Sequence, residues 1–151
     1  MTPGPRFMNS AIERLLSLRV ADFMCRNVVT VSGAATMEEA AESFLRHKVS
    51  GAPVVDERGH CAGVLSATDF VRREVQSPPR RRGNGDLVEA VRTYMSPSVC
   101  SIDADATLID AARGMCGKRV HRLPVLDARG KVVGVISSLD LVAAVVHAIE
   151  E

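Results

Sequence analysis

Two short motifs place a hydroxyl group and a carboxylate three residues apart at the start of a predicted helix. They are Ser66-x-x-Asp69 and Ser137-x-x-Asp140, and each follows an apolar run that contains a glycine. A helix N-terminus presents unpaired backbone N–H groups and partial positive charge, so the serine and these amides suit a phosphate group. The aspartate lies one helical turn later and can accept both hydrogen bonds of a ribose diol. These four residues are candidates for nucleotide binding.

The same spacing also has a purely structural explanation. A serine or threonine followed three residues later by an acidic residue approximates a capping box, in which the two side chains satisfy free N–H groups of the helix. Thr36 with Glu39 has this pattern, and Thr107 with Asp110 approximates it. Spacing alone favours capping for the serine motifs and the threonine motifs alike.

These motifs recur because the chain contains one unit twice. A shift of 71 residues aligns Val20–Val71 with Val91–Val142 without a gap, and 18 of those 52 positions are identical. Each copy has a β-branched run, an amphipathic helical segment, two apolar runs around an Asp/Gly turn, and a second helical segment. The last helix places its apolar side at Leu139, Leu141, Val142, Val145, Val146 and Ile149. The pattern predicts the order β-α-β-β-α in each copy.

The predicted fold class is α/β (α+β), with two repeats that pack with approximate twofold symmetry. A chain of ~60 residues buries only about 60% of its unfolded surface, so each copy needs the other, and any cleft between them comes in pairs. We expect a helical lead-in over residues 1–19, repeat 1 over 20–76, a Pro/Arg/Gly linker over 77–86, and repeat 2 over 87–151. The linker includes Arg80–Arg82, which we interpret first as a solvated charge run, with contact to a ligand phosphate over a cleft or to nucleic acid as the alternative.

The most informative difference between the repeats lies just before the second hairpin. Lys118-Arg-Val-His-Arg122 holds four basic or potentially basic residues, whereas His47-Lys-Val-Ser-Gly51 ends in serine and glycine. A guanidinium suits bidentate contact with phosphate, and an adjacent imidazole can add a donor. The alternative is a solvated helix end, where cations complement the C-terminal dipole, and it fits Lys118 and Arg119 well; for His121 and Arg122 we favour the role of phosphate ligands over it. The repeat with Ser137 and Asp140 should therefore prefer a charged phosphate.

Composition excludes several classes of protein. Of the 151 residues, 19 are basic and 18 are acidic, so no overall field favours nucleic acid, and 3% aromatic content provides few stacking surfaces. The apolar runs are too short for a membrane span, and the N-terminus lacks the pattern of a signal peptide, so we expect a cytoplasmic protein. The four cysteines match no metal-ligand spacing, and the chain has no motif of a known catalytic centre. We expect no enzyme activity, no metal site and no membrane insertion.

The motifs resemble those of the cystathionine-β-synthase (CBS) domain, and their tandem arrangement resembles a Bateman module. The resemblance rests on Gly63-Val-Leu-Ser-Ala-Thr-Asp69 and Gly134-Val-Ile-Ser-Ser-Leu-Asp140, together with Val49–Asp56 and Val120–Asp127 upstream of them. It covers residues 20–76 and 91–150, which is nearly the whole chain.

The resemblance implies a regulatory module without a required cofactor. Such modules bind AMP, ADP, ATP, S-adenosylmethionine or sometimes NAD in clefts between the two copies, form homodimers through helices, and signal to an effector protein. It favours ligand binding over capping for Ser66, Asp69, Ser137 and Asp140. It also implies that threonines at the places of Thr36 and Thr107 can touch a ligand phosphate. The alternative is a structural dimerisation or protein-interaction module that binds no ligand.

Overall fold

The computed structural model describes residues 5–76, 89–97 and 100–150. In chain order, the first half comprises α1 (Pro5–Ser17), α2 (Val20–Phe23), β1 (Val31–Ser32), α3 (Met37–His47), β2 (Gly51–Val55), β3 (Cys61–Ser66) and α4 (Ala67–Gln76). The second half comprises α5 (Val91–Tyr94), β4 (Ile102–Asp103), α6 (Leu108–Lys118), β5 (Arg122–Leu126), β6 (Val132–Ser137) and α7 (Ser138–Glu150). The predicted order β-α-β-β-α is confirmed in both repeats. The linker residues Arg80–Arg82 lie outside the described residues.

Each repeat forms a three-stranded mixed sheet, in the orders β1-β2-β3 and β4-β5-β6. β1 is parallel to β2, with Ser32 opposite Val55, and β2 is antiparallel to β3, with Gly51 opposite Ser66. The hairpin between β2 and β3 turns through Gly59, whose φ of 83° favours glycine. The α/β class and the hairpin predicted from the Asp/Gly turn are confirmed.

Two compact units form, and their boundaries differ from those of the sequence repeats. Unit A lies within residues 28–99 and 130–132 and is built around β1–β3. Unit B lies within residues 1–27, 100–129 and 133–151 and is built around β4–β6. The segment that begins repeat 1, residues 20–27, therefore belongs to unit B, and the segment that begins repeat 2, residues 91–97, belongs to unit A. We call these two the exchanged segments.

Backbone hydrogen bonds hold each exchanged segment against the edge of its sheet. In unit A, Val64 and Ser96 exchange N–H···O bonds of 3.1 and 2.9 Å. In unit B, Cys25 and Val135 exchange two bonds of 2.9 Å. Each segment thus adds a short antiparallel bridge to a sheet of the other repeat.

Two glycines allow these segments to approach closely. A Cβ at Gly63 would lie 2.5 Å from the Ser96 carbonyl oxygen and 2.8 Å from Met95 Sδ. A Cβ at Gly134 would lie 2.6 Å from Met24 Sδ. The glycine and methionine identities between the repeats therefore reflect one packing contact that occurs twice.

Each unit has its own apolar core, formed by the exchanged segment, the sheet and the helices. The unit A core consists of Val31, Met37, Ala40, Phe44, Ala52, Val54, Leu65 and Val91. The unit B core consists of Val20, Met24, Leu108, Ala111, Met115, Leu123, Val125, Ile136 and Ala144. Helix α7 buries only Ala144 and Ala148, while five larger apolar residues of its predicted apolar side are exposed: Leu139, Val142, Val145, Val146 and Ile149.

Candidate functional site

In unit A, the Ser66 and Asp69 motif lies where β3 passes directly into α4. Asp69 Oδ2 accepts the Ser66 backbone N–H at 2.8 Å and the Ser66 hydroxyl at 3.2 Å. Arg72, one helical turn further on, donates to Asp69 Oδ1 at 2.8 Å. Asp69 is only 2% exposed. Both of its carboxylate oxygens therefore have partners within the protein.

In unit B, the Ser137 and Asp140 motif occupies the same place between β6 and α7. Asp140 Oδ2 accepts the Ser137 N–H at 2.7 Å, and the Asp140 N–H donates to Ser137 Oγ at 3.2 Å. This is a reciprocal capping box, which leaves the Ser137 hydroxyl hydrogen free to donate elsewhere. Ala143 takes the place of Arg72, so no arginine holds the half-buried Asp140 carboxylate.

His121 and Arg122 lie beside the unit B motif. The backbone N–H of Ser138, the first residue of α7, donates to the His121 carbonyl at 2.9 Å, and Arg122 begins the strand adjacent to β6. Both side chains are exposed, and neither forms a hydrogen bond or ion pair with any residue that the structure describes. The structure therefore brings together four of the predicted site residues, and two of them are unpaired basic groups.

In unit A, the two positions that correspond to His121 and Arg122 hold no basic residue. Ala67 N–H donates to the Ser50 carbonyl at 2.9 Å, which reproduces the backbone geometry of unit B. The residues in place of His121 and Arg122 are Ser50 and Gly51, as the repeat alignment predicted. The difference in charge between the two motifs is therefore a difference in side chains on the same backbone.

Thr36 and Thr107 lie at the other end of their sheets. Thr36 follows β1, whose Ser32 pairs with Val55 at the end of β2, whereas Ser66 pairs with Gly51 at the beginning of β2. Within each unit the threonine is thus separated from the Ser/Asp motif by the length of the central strand. The structure does not bring the threonine and the Ser/Asp pair of one unit together.

Both threonines cap helices. Thr36 Oγ1 accepts the Glu39 N–H at 3.0 Å, and Glu39 Oε1 accepts the Thr36 N–H at 3.2 Å, so the predicted capping box is confirmed. Thr107 Oγ1 accepts the Asp110 N–H at 3.1 Å. The capping interpretation is therefore confirmed for both threonines, and their contact with a ligand stays a prediction.

The sequence analysis missed Arg72. Its position three residues after Asp69 places it on the same helix face, where opposite charges attract, and this spacing was the available signal. Repeat 2 has alanine at that position, so the difference between the repeats was also visible in the alignment.

Unit A also contains a groove that the sequence motifs did not indicate. It has a volume of about 320 Å³ and lies at the hairpin end of the sheet, where its lining includes Val55, Asp56, Arg58, Arg92 and Met95. The hydrogen bond from the His60 N–H and then that from the Arg58 N–H hold the pKa of the exposed Asp56 carboxyl below its usual value. None of the predicted site residues lines this groove.

The described residues contain neither a cluster of metal-ligand side chains nor an apolar helix of bilayer length. Within them, no group of three or more His, Cys, Asp or Glu side chains is placed to hold a metal ion. No described helix combines the length and the apolar character that crossing a bilayer requires.

The family is established by comparison with known proteins. The family model of the CBS domain matches residues 20–75 and 91–147, so the chain belongs to the CBS domain family and contains a CBS domain pair. A CBS domain-containing protein of Dictyostelium discoideum is 26% identical over 140 residues, which cover 89% of this chain and 96% of that protein. The protein MK0525 of Methanopyrus kandleri is 29% identical over 125 residues, and the match spans 83% of this chain and 61% of that longer protein.

A solved structure has the same fold. CBSX2 of Arabidopsis thaliana, crystallised in complex with AMP, superposes with a TM-score of 0.75 at 28% identity. The match covers 89% of this chain and 100% of that chain. The two β-α-β-β-α repeats with mixed three-stranded sheets are thus a known arrangement of this family.

Proposed function

We propose that this chain is a regulatory module that binds an adenosine-containing nucleotide, with AMP, ADP or ATP as the first candidates and S-adenosylmethionine or NAD as others. The observation that carries the proposal is the pair of exposed, unpartnered basic residues His121 and Arg122 beside Ser137 and Asp140. The AMP complex of CBSX2, a protein with the same fold, supports the choice of ligand class.

The chemistry of the unit B motif fits such a ligand. Arg122 can contact a phosphate with two N–H donors, His121 can add a third, and the Ser137 hydroxyl can donate from the helix N-terminus. Asp140 Oδ1 makes no hydrogen bond to any described residue, so it can accept the two hydroxyl groups of a ribose. Phosphate and ribose would thus be recognised by different residues of one motif.

The proposed site set also includes Ser66 and Asp69 as the equivalent motif of unit A, with Thr36 and Thr107 as further phosphate contacts. The roles of the threonines rest on the family resemblance, since in the structure they act as helix caps. We assign no catalytic or metal-binding role to any residue.

The regulatory output would come from a ligand-dependent change in packing or in contacts with an effector protein. A ligand can shift a conformational equilibrium only as far as it prefers one state over the other. The chemistry of the site therefore determines which ligand is recognised. The effector protein is the one that binds the liganded state preferentially.

We further propose that the chain forms a homodimer through its helices. Val71 and Val75 on α4 are 64% and 77% exposed, and five apolar residues of α7 are at least 41% exposed. Apolar residues grouped on a helix face mark an association surface more often than isolated ones do. Light scattering should give twice the chain mass for the wild type. The double variant Val142→Glu/Val146→Glu should give the mass of a monomer. Arg113→Glu on α6 is the control and should keep the dimer mass. A monomeric wild type contradicts the dimer.

Thermal melting with AMP, ADP, ATP, S-adenosylmethionine and NAD tests the ligand proposal. A ligand at 100 times its dissociation constant stabilises the folded state by about 2.7 kcal/mol. For a chain of this size that corresponds to a rise in Tm of roughly 5–10 °C. Asp140→Ala should abolish this rise while the unliganded protein loses only about 1 kcal/mol, the usual effect of a lost cap.

The second candidate function is a structural dimerisation module without a ligand. The capping hydrogen bonds that both Ser/Asp motifs make in the structure favour it. If none of the five compounds raises Tm and the dimer persists, this second function replaces the first.

A further inference from the structure

The two Ser/Asp motifs differ in the residue that lies one helical turn beyond the aspartate. Arg72 follows Asp69 by three residues, and Ala143 follows Asp140 by three residues. Arg72 Nη1 lies 2.8 Å from Asp69 Oδ1, and the side chain of Asp69 is 3% exposed. The Asp140 side chain has no ion pair within the described part of the chain.

We propose that Arg72 keeps the unit A motif closed to nucleotide, so that each chain binds one adenine nucleotide, at the motif of Ser137 and Asp140. This inference rests on the proposed function and adds which of the two motifs is used and which residue decides it. Arg72 is therefore a specificity-determining residue that acts on Asp69.

The carboxylate of Asp69 has too few free acceptor positions for both hydroxyl groups of a ribose diol. Oδ2 accepts two hydrogen bonds from Ser66 and Oδ1 accepts the guanidinium, so three donors already hold it. A ribose diol would have to displace Arg72 and reach a side chain that solvent barely touches. The guanidinium carries a full positive charge opposite a buried carboxylate and a hydroxyl group carries none, so a hydroxyl group exchanges poorly for the guanidinium.

The neighbouring side chains point to the same assignment. Where unit B has His121 and Arg122, unit A has Ser50 and Gly51, which provide no positive charge for a phosphate. Unit A thus has an occupied carboxylate and no basic residue at these two positions, whereas unit B has an open carboxylate and two unpaired basic side chains. Opening the unit A motif should therefore create a site that does not discriminate AMP from adenosine.

Isothermal titration with AMP and with adenosine tests the inference on the full chain. The wild type should bind one AMP per chain and bind adenosine more weakly. Arg72→Ala should bind two adenosine molecules per chain, with the new site showing about equal affinity for AMP. Ala143→Arg, at an exposed position, should weaken AMP binding by about tenfold, the loss expected when a hydrogen bond to a charged group is blocked.

A double variant provides the sharpest result. Arg72→Ala/Ala143→Arg should again bind one adenosine, and this binding should be lost with Asp69→Ala and retained with Asp140→Ala. Arg46→Ala removes the same charge from an exposed position on α3 and should leave the stoichiometry at one. Circular dichroism melts of all variants show whether each is folded.

The outcomes separate the two proposals. One AMP per chain in both the wild type and Arg72→Ala overturns the role of Arg72 and leaves the proposed function standing. Two AMP per chain in the wild type does the same. Loss of all binding in Arg72→Ala would show that Arg72 is a ligand contact. No binding of AMP or adenosine by any of these variants overturns the proposed function and this inference with it.

Discussion

Units A and B differ in the side chains that pack beside their exchanged segments, which are charged in unit A and apolar in unit B. In unit A, the guanidinium of Arg73 on α4 binds the carboxylates of Glu38 on α3 and Glu89, the residue two before α5. Arg73 is 7% exposed, and the side chain of Glu89 is 11% exposed. Burial acts to lower the pKa of Arg73, but the hydrogen bonds that it donates to the two carboxylates outweigh burial and raise that pKa above its usual value.

In unit B, the same three positions are apolar. A shift of 71 residues replaces Arg73, Glu38 and Glu89 by Ala144, Ile109 and Leu18. Ala144 is fully buried, and Leu18 packs against the core cluster that contains it. The exchanged segment of unit A is thus held by an ion triad, and the equivalent segment of unit B is held by apolar packing.

The comparison shows which features the duplicated fold requires. The glycine and methionine of the exchanged contact and the threonine caps occur in both units, whereas the anchor of the segment and the partner of the aspartate differ. Features that occur twice belong to the scaffold, and features that occur once give each unit its own properties.

The largest expected effect is at the ion triad. Arg73→Ala leaves the carboxylate of Glu89 buried without its partner and should destabilise the protein by about 3 kcal/mol in urea unfolding. The neighbouring Arg72→Ala removes a half-exposed guanidinium, and the buried Asp69 keeps its two hydrogen bonds from Ser66, so this variant should lose less, about 1 kcal/mol. The triple variant Arg73→Ala/Glu38→Ile/Glu89→Leu, which copies unit B, should recover most of the loss. Equal losses in the two single variants would show that the triad is not an anchor.

The next effect is at the close contact of the exchanged segments. Gly63→Ala and Gly134→Ala should each destabilise the protein by roughly 1–3 kcal/mol, because the added Cβ overlaps a methionine sulfur and, in unit A, a carbonyl oxygen. Gly117→Ala in α6 is the control, since a Cβ there meets no atom within 4 Å, and it should stabilise the helix by about 0.5–1 kcal/mol. Chemical denaturation measures all three, and a neutral Gly63→Ala would contradict the close approach.

The helix caps should rank below the glycines. Thr36→Ala removes a reciprocal capping box and should cost about 1 kcal/mol of unfolding free energy. The Thr107→Ala loss should be similar or smaller, because Asp110 has a shorter side chain than Glu39. Thermal melts rank the two variants, and a larger loss for Thr107→Ala would mean that it has a further partner.

The smallest expected effect is the pH dependence at Asp56. Its pKa is lower in the folded state than in the unfolded chain because the backbone N–H of His60, and then that of Arg58, bind its carboxylate. This contribution is therefore complete above the unfolded pKa of about 3.9 and is lost as pH falls through the folded pKa. Asp56→Asn should match the wild type more closely at low pH than at pH 7, as measured by unfolding at both. A constant difference would contradict the pKa direction.

Much of the fold followed from the sequence alone. The shift of 71 residues indicated two copies, alternation and turn residues indicated the hairpins, and the spacing of Thr36 and Glu39 indicated a capping box. These predictions were confirmed because they depend on contacts within about four residues or on repetition, both of which are visible along the chain.

The candidate site was only partly accessible from the sequence. The alignment showed that His121 and Arg122 have no basic counterparts in repeat 1, and the structure places them beside Ser137. The alignment could not show that Asp69 is 2% exposed while Asp140 is half-buried. It also did not show that Thr36 lies at the other end of the sheet from Ser66, because strand register decides that.

The sequence by itself determined the duplicated β-α-β-β-α unit, its turns and caps, and the family to which it belongs, because these depend on local spacing and on the number of copies. Only the tertiary structure decided that α2 and α5 join the sheets of the opposite repeats, that Arg73 binds Glu38 and Glu89, and that α7 buries Ala144 and Ala148 while five of its larger apolar residues are exposed. The physical reason is that these contacts join residues far apart in the chain, where burial and sheet pairing, and not sequence periodicity, select the partner.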